Sequence, residues 1–247
     1  MTDVPVTSAG QEASWHALLD LHDAVPEAWV LVGGQMVQLH AAERGYRFVR
    51  PTDDADAVLD VKLNPSILHD VTAALVMMGF ESAGVSASGV EHRWQRGEAQ
   101  IDVLIPQGLG ERLRAQVVGI SGSPTVETPA GQIAVDLSEV VDVQVGDRVG
   151  HVRRPTLLGA LIAKAAADTT VSVSSAAAGR HLEDFVTLSA MLKVSDLAGT
   201  TSTKSQRRYV AKALKKVAPR FDLQEQHPDS RVGLARLSRW VGQEDSE

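Results

Sequence analysis

An α/β or α+β sheet domain is what this chain predicts, followed by a mainly helical C-terminal portion. Three observations point there. Short apolar runs alternate with helically periodic stretches as far as Ile105, the composition turns alanine-rich after Pro155, and charge divides unequally between the two parts. Residues 1–150 hold 9 Lys and Arg against 21 Asp and Glu, whereas residues 151–247 hold 15 against 10. The net charge of -7 therefore splits near -12 and +5. Two domains are expected, 1–150 and 151–247, with a soft boundary near residue 150.

The elements follow in order. From Ser8 to Asp23, Trp15, Leu18, Leu19 and Leu21 recur at roughly helical spacing, and Val25-Pro26 closes the segment. Trp29 to Val32 (WVLV) is a buried-strand run. Gly33-Gly34 then turns the chain into an amphipathic helix ending at Gly45, a C-cap residue. A strand is expected over Asp53–Lys62, a helix from Pro65 to Met78 stopped by Gly79, and strands over Val90–Gln95 and Gln100–Ile105. Residues 112–150 carry strand-like pieces around TVETPAGQIAVDL and VVDVQV. Beyond Pro155, TLLGALIAKAAAD reads as a helix, TTVSVSSAAAG as a small-residue loop and RHLEDFVTLSAML as a helix. A last helix spans about Ser202 to Val217, before a polar tail.

Composition narrows the chemistry. With 247 residues and 44% hydrophobic content the chain can bury a sizeable core. It has no cysteine, which removes disulfides, thiolate zinc sites and thiol nucleophiles and leaves carboxylates, histidines and lysines. The N-terminus has neither a basic n-region nor an apolar h-region, and no apolar run approaches the roughly 18 residues of a spanning helix, so a cytoplasmic protein with no membrane contact is expected.

The densest candidate chemistry lies in RPTDDADAVLD, residues 50–60. In an extended strand side chains alternate between faces, which puts Asp54, Asp56, Val58 and Asp60 on one side and Asp53, Ala55, Ala57 and Leu59 on the other. Neighbours on one face have Cα atoms about 6.5–7 Å apart, so Asp54 and Asp56 can converge on a hard cation such as Mg²⁺. A solvated acidic edge is the competing reading. An EF-hand loop counted from Asp54 fails, because Leu59 and Pro65 stand where Gly and Glu are required. A haloacid-dehalogenase-like D-x-D would follow an apolar strand; here the apolar residues come after.

Gly33-Gly34, between an apolar strand and a helix, lets backbone N–H groups approach a phosphate at the positive helix end, or is simply a tight turn. It completes neither a Walker loop nor a G-x-G-x-x-G fingerprint. Asp102 sits on a strand opposite the face formed by Ile101, Val103 and Ile105. A charge there needs a metal or a salt bridge, for which Arg93 or Arg96 is available.

The succession of Gly33-Gly34, then Arg50-Pro-Thr52-Asp53-Asp54-Ala-Asp56, then Asp102, resembles the nucleotidyltransferase superfamily, and more narrowly the AbiEii/MenT type of toxin-like nucleotidyltransferases. That group also carries a K-x-x-A motif, matched by Lys164-Ala-Ala-Ala167, and an R-D-x-x-D motif, matched by Arg180-His-Leu-Glu-Asp184 with His181 where Asp is more usual. The resemblance spans residues 29–190. It implies an α+β nucleotidyltransferase core, a mixed β-sheet flanked by helices with a helical C-terminal portion, Mg²⁺ (or Mn²⁺) on Asp54, Asp56 and Asp102, and a nucleoside triphosphate seated by Gly33, Gly34, Arg50, Thr52 and Lys164. Asp184 would complete the site, and Asp102 would activate the acceptor hydroxyl. On an alanine-rich helix, Lys164 is otherwise read as a solvated residue.

In KSQRRYVAKALKKVAPR, Tyr209, Val210, Ala213, Leu214 and Val217 form an apolar stripe that leaves most cations on the outer face. Arg207, Arg208, Lys212, Lys215 and Lys216 could track a nucleic-acid backbone, or form a solvated face. Members of the resembled group include enzymes that add nucleotides to tRNA ends, so a tRNA acceptor and an antitoxin partner are the first expectations. A small-molecule, antibiotic-modifying transferase and a non-catalytic nucleotide- or partner-binding relative are the alternatives.

Overall fold

A computed structural model describes residues 1–47, 52–170 and 175–242 of the chain. The elements run β1 (Thr2–Asp3), α1 (Ala9–Ala24), β2 (Trp29–Val32), α2 (Gly33–Glu43), β3 (Asp54–Leu59), α3 (Ile67–Met77), β4 (Glu81–Ser82), β5 (Arg93–Arg96) and β6 (Ala99–Pro106). They continue with α4 (Glu111–Arg114), β7 (Val126–Thr128), α5 (Gly131–Asp136), β8 (Ser138–Val145), β9 (Arg148–Pro155), α6 (Leu157–Thr170) and α7 (Ser175–Ala190). After a 3₁₀ turn at Val194–Asp196 come α8 (Lys204–Val217), α9 (Phe221–Gln226) and α10 (Ser230–Gly242).

The main sheet has the order β2-β3-β6-β5-β4, and β7 pairs with β6 beyond the end of β5. It is mixed: β3 runs parallel to β6, while β2 and β5 flank that pair antiparallel. Alternation explains the packing. Ala55, Ala57 and Leu59 of β3 are fully buried, and α1 lies against β3 and β6 with Trp15, Leu18 and Leu21 in the core. Ser8 caps α1 by accepting from the Gln11 N–H at 3.0 Å, and its hydroxyl also donates to Asp53. The Gln11 side chain reaches back to the Thr52 carbonyl at 3.1 Å and to Gln38 on α2 at 2.9 Å, which fixes the start of β3 against two helices.

A second, three-stranded sheet, β1-β8-β9, carries the chain to α6; residue 150 falls within β9. The C-terminal helices then pack on one another: α6 against α7 and α8, and α10 against α7. Gly233 of α10 meets α7 at backbone distance. A Cβ there would stand 1.7 Å from the Ser189 carbonyl oxygen, so only glycine permits this crossing.

Several sequence expectations are corrected here. Gly33-Gly34 is the first turn of α2 itself, not a turn preceding it. The piece GQIAVD, expected to be strand-like, is helical. Most of the segment expected as a small-residue loop also belongs to helices, since α6 reaches Thr170 and α7 starts at Ser175; alanine, the best helix former, outweighs the Ser and Thr there. The polar tail is in fact α9 and α10, which bury Leu223, Leu237 and Trp240. Their apolar residues are too sparse to stand out without the surface they cover. Among the described residues, no helix is long and apolar enough to cross a membrane.

Candidate active site

The strand register brings the acidic residues together. Parallel pairing sets Asp56 beside Asp102 and Asp54 beside Gln100, while antiparallel pairing sets Val32, the residue before Gly33, on the other flank of Asp56. Gly33 has φ +70°, and a Cβ at this position would lie 1.8 Å from Asp56 Oδ2. Glycine is therefore required twice over, by its left-handed backbone and by the carboxylate against it. The N-terminus of α2 has no side-chain cap among the described residues. Its first-turn N–H groups and the positive end of its dipole thus face an acidic strand, an arrangement suited to a ligand carrying both phosphates and a cation.

From the helical side, α6 and α7 complete the site. Lys164 of α6 is buried and donates from Nζ to Asp184 Oδ2 at 2.7 Å and to the Gly33 carbonyl at 3.2 Å. It ties the helical portion to the glycine turn. Thr52 donates to Asp54 Oδ1 at 3.3 Å. The walls of a hollow of about 220 Å³ are Gly33, Gly34, Thr52, Asp54, Asp56, Lys164, Arg180, His181 and Asp184. A second hollow, about 150 Å³ and largely apolar, opens beside it along the same sheet face, where Val58 follows Asp56 and Leu104 follows Asp102. Gly33, Asp56, Lys164 and His181 line both.

The electrostatics are unbalanced. Burial, together with the neighbouring charges of Asp54 and Asp102, pushes the Asp56 carboxyl up to about 7, even though Lys164 and Arg93 pull the other way. Burial first, and then Lys164, holds His181 down at about 4, so its ring is neutral at pH 7. Its buried Nδ1 has no hydrogen-bond partner among the described residues.

Asp102 is differently placed. Arg93 grips both of its oxygens, Nε to Oδ1 at 2.9 Å and Nη2 to Oδ2 at 2.7 Å. Of the two partners that the sequence offered, Arg93 is the one used; Arg96 instead donates to the Met78 carbonyl and lies over the Phe80 ring. Among the described residues, no three His, Asp or Glu side chains form a group arranged to hold a metal. The donor set that fits a divalent cation is the pair Asp54 and Asp56: oxygen ligands on one strand face, one of them held at an unfavourable charge.

Seven of the expected residues thus surround one hollow: Gly33, Gly34, Thr52, Asp54, Asp56, Lys164 and Asp184. Asp102 adjoins it through the register, and Arg50 lies outside the described residues. Asp60 serves a turn, accepting from the Lys62 and Leu63 N–H groups. Arg180 and His181 belong to the motif matched in the sequence, which gave them no role of their own, and the apolar hollow was not foreseen. The signal for the hollow was present, since Val58 and Leu104 continue the faces that carry the acids. On α8, Arg208, Lys212 and Lys215 are exposed, Lys216 donates to the Asp168 carboxylate at 2.8 Å, and Arg207 donates to Ser202.

No family model and no curated protein matches the chain. Among solved structures it is similar to an antigenic nucleotidyltransferase-like protein from Paracoccidioides brasiliensis, with 14% sequence identity, 94% of each chain covered and a TM-score of 0.52. At that identity the likeness speaks for architecture alone, and the chain accordingly has a nucleotidyltransferase-like fold.

Proposed function

We propose that the chain is a metal-dependent nucleotidyltransferase that moves a nucleoside monophosphate from a nucleoside triphosphate to an acceptor hydroxyl of a tRNA, as the toxin of a toxin–antitoxin pair. One observation carries the reading: two same-face carboxylates, Asp54 and Asp56, oppose an uncapped helix N-terminus across a hollow that also holds a buried lysine. That combination fits a triphosphate with its cation.

In this chemistry the acceptor oxygen bonds to the α-phosphorus as the bond to the departing pyrophosphate breaks, in line. No side-chain nucleophile is needed, which suits a chain without cysteine. Asp54 and Asp56 would hold a divalent ion such as Mg²⁺, which would supply positive charge to the transferring phosphoryl group when bound. The first-turn N–H groups at Gly33 and Gly34 orient phosphate oxygens. Lys164, kept in place by Asp184 and the Gly33 carbonyl, lends positive charge to the same wall.

The basic face of α8 supports an RNA acceptor, since phosphate contacts from Arg208, Lys212 and Lys215 supply affinity without reading sequence. The toxin role and its antitoxin partner rest on the resemblance of the glycine pair and the R-x-T-x-D-x-D run to toxin-like transferases. Incubating the chain with labelled NTPs, Mg²⁺ and total RNA should label a tRNA-sized band, and Asp56→Ala should abolish it. Absence of label with all four nucleotides would sink the reading. Label on a small-molecule acceptor, with none on RNA, would keep the chemistry and replace the acceptor.

A further inference from the structure

We propose that Arg93 does the work of a second cation at Asp102, so that the hollow takes one divalent ion on Asp54 and Asp56, while Asp102 is withheld from the ligand set. The inference rests on the nucleotidyl-transfer reading and specifies its cation site.

The topology builds the pairing. Antiparallel register sets Arg93 of β5 directly across from Asp102 of β6, on the side away from Asp56. The guanidinium presents two parallel N–H groups to the two carboxylate oxygens, a fork that matches carboxylate geometry and is stronger than a single charged hydrogen bond. The Asp102 side chain is 9% exposed and that of Arg93 is 41% exposed, so the acid is nearly buried and the cation partly open to solvent. For Asp102 to become a ligand, both hydrogen bonds would have to be given up at a nearly buried carboxylate.

The ion pairs point the same way. Asp102 is paired with Arg93 and Asp184 with Lys164, while Asp54 and Asp56 line the hollow beside Arg180. Arg93 thus acts as a positioning residue: it fixes Asp102 and supplies permanent positive charge beside Asp54 and Asp56.

Electron paramagnetic resonance of Mn²⁺ added to the full chain with a non-hydrolysable NTP analogue tests this directly. The expected result is one Mn²⁺ per chain with the spectrum of an isolated ion, the count being unchanged in Asp102→Asn. Arg93→Gln should release Asp102 and admit a second Mn²⁺ magnetically coupled to the first, at the ~4 Å spacing of two-metal sites. Two coupled ions in the unsubstituted chain, with one lost in Asp102→Asn, would overturn the inference and leave nucleotidyl transfer standing. One ion in both the unsubstituted chain and Arg93→Gln would overturn the role of Arg93. No bound Mn²⁺ with any of the four nucleotides would overturn this inference and the parent reading together. Should Arg93→Gln fail to fold, the count in the unsubstituted chain and in Asp102→Asn decides by itself.

Discussion

Two clusters of ionised side chains sit at opposite ends of α2, and they are built on opposite principles. At its C-terminal end, Arg154 is buried and fully answered: it donates to both oxygens of Glu43 at 2.7–3.0 Å, to Glu139 at 2.8 Å and to the Pro155 carbonyl at 2.8 Å. Burial alone would raise the Glu43 carboxyl, but His40 and Arg154 more than offset that and hold it low. At the N-terminal end, Asp56 shares a hollow with Asp54 and adjoins Asp102, and its carboxyl is pushed up to about 7. The difference separates charge that holds the fold from charge kept for a ligand. A structural cluster satisfies itself, whereas a binding cluster carries an imbalance that a ligand would remove.

Breaking the satisfied cluster should have the largest effect. Arg154→Ala would leave Glu43 with its main counter-charge gone in a mostly buried setting, and a loss of about 3–5 kcal/mol in denaturant unfolding is expected. A loss below about 1 kcal/mol would mean that the cluster is a surface pair in effect. Next is the contact between the glycine turn and the acid. Gly33→Ala combines a left-handed backbone with a collision against Asp56, which should cost about 1–3 kcal/mol and lower nucleotide transfer as well. Unchanged stability and transfer would show that the turn does not press on the carboxylate.

The smallest expected effect concerns His40, which is buried against Glu43 and the Pro155 carbonyl. Burial lowers its pKa below the ordinary 6.5, so the folded chain keeps it neutral while the unfolded chain takes up a proton. Its contribution is fully present above about pH 6.5 and is lost as the pH falls from there toward the lowered folded-state pKa, by at most about 1.4 kcal/mol per pH unit. In His40→Asn the slope of stability between pH 6.5 and 5 should flatten. An identical slope in the variant would assign the acid sensitivity to other groups.

How much of this was legible before the structure depended on range. The face of β3 that carries Asp54 and Asp56 follows from parity alone, because alternation is local. Gly33-Gly34 stood out as a junction of strand and helix, although its place inside the first turn of α2 did not. Lys164 and Asp184 were named only through resemblance, since nothing in an alanine-rich helix says which lysine turns inward. What stayed hidden was long-range: the Arg93–Asp102 fork needs the β5–β6 register, and the contacts of His181 need α7 to be docked. The tail was misread because α10 depends on Gly233 meeting Ser189, a fit that no periodicity reveals.

The comparison turns on whether Asp56 is held at a cost to stability. Thermal and denaturant unfolding of Asp56→Asn against the unsubstituted chain, from pH 4 to 8 without divalent ions, tests that most directly. The folded-state pKa of Asp56 lies above its unfolded value, so the native carboxyl keeps its proton while the unfolded one loses it, and its unfavourable contribution grows as the pH rises from about 4 to about 7. The account predicts that Asp56→Asn is the more stable protein at pH 7, by on the order of 1–3 kcal/mol because the hollow opens to water, with the gap closing toward pH 4 and transfer activity lost. A variant less stable than the parent at pH 7, or a gap that does not change with pH, would contradict it.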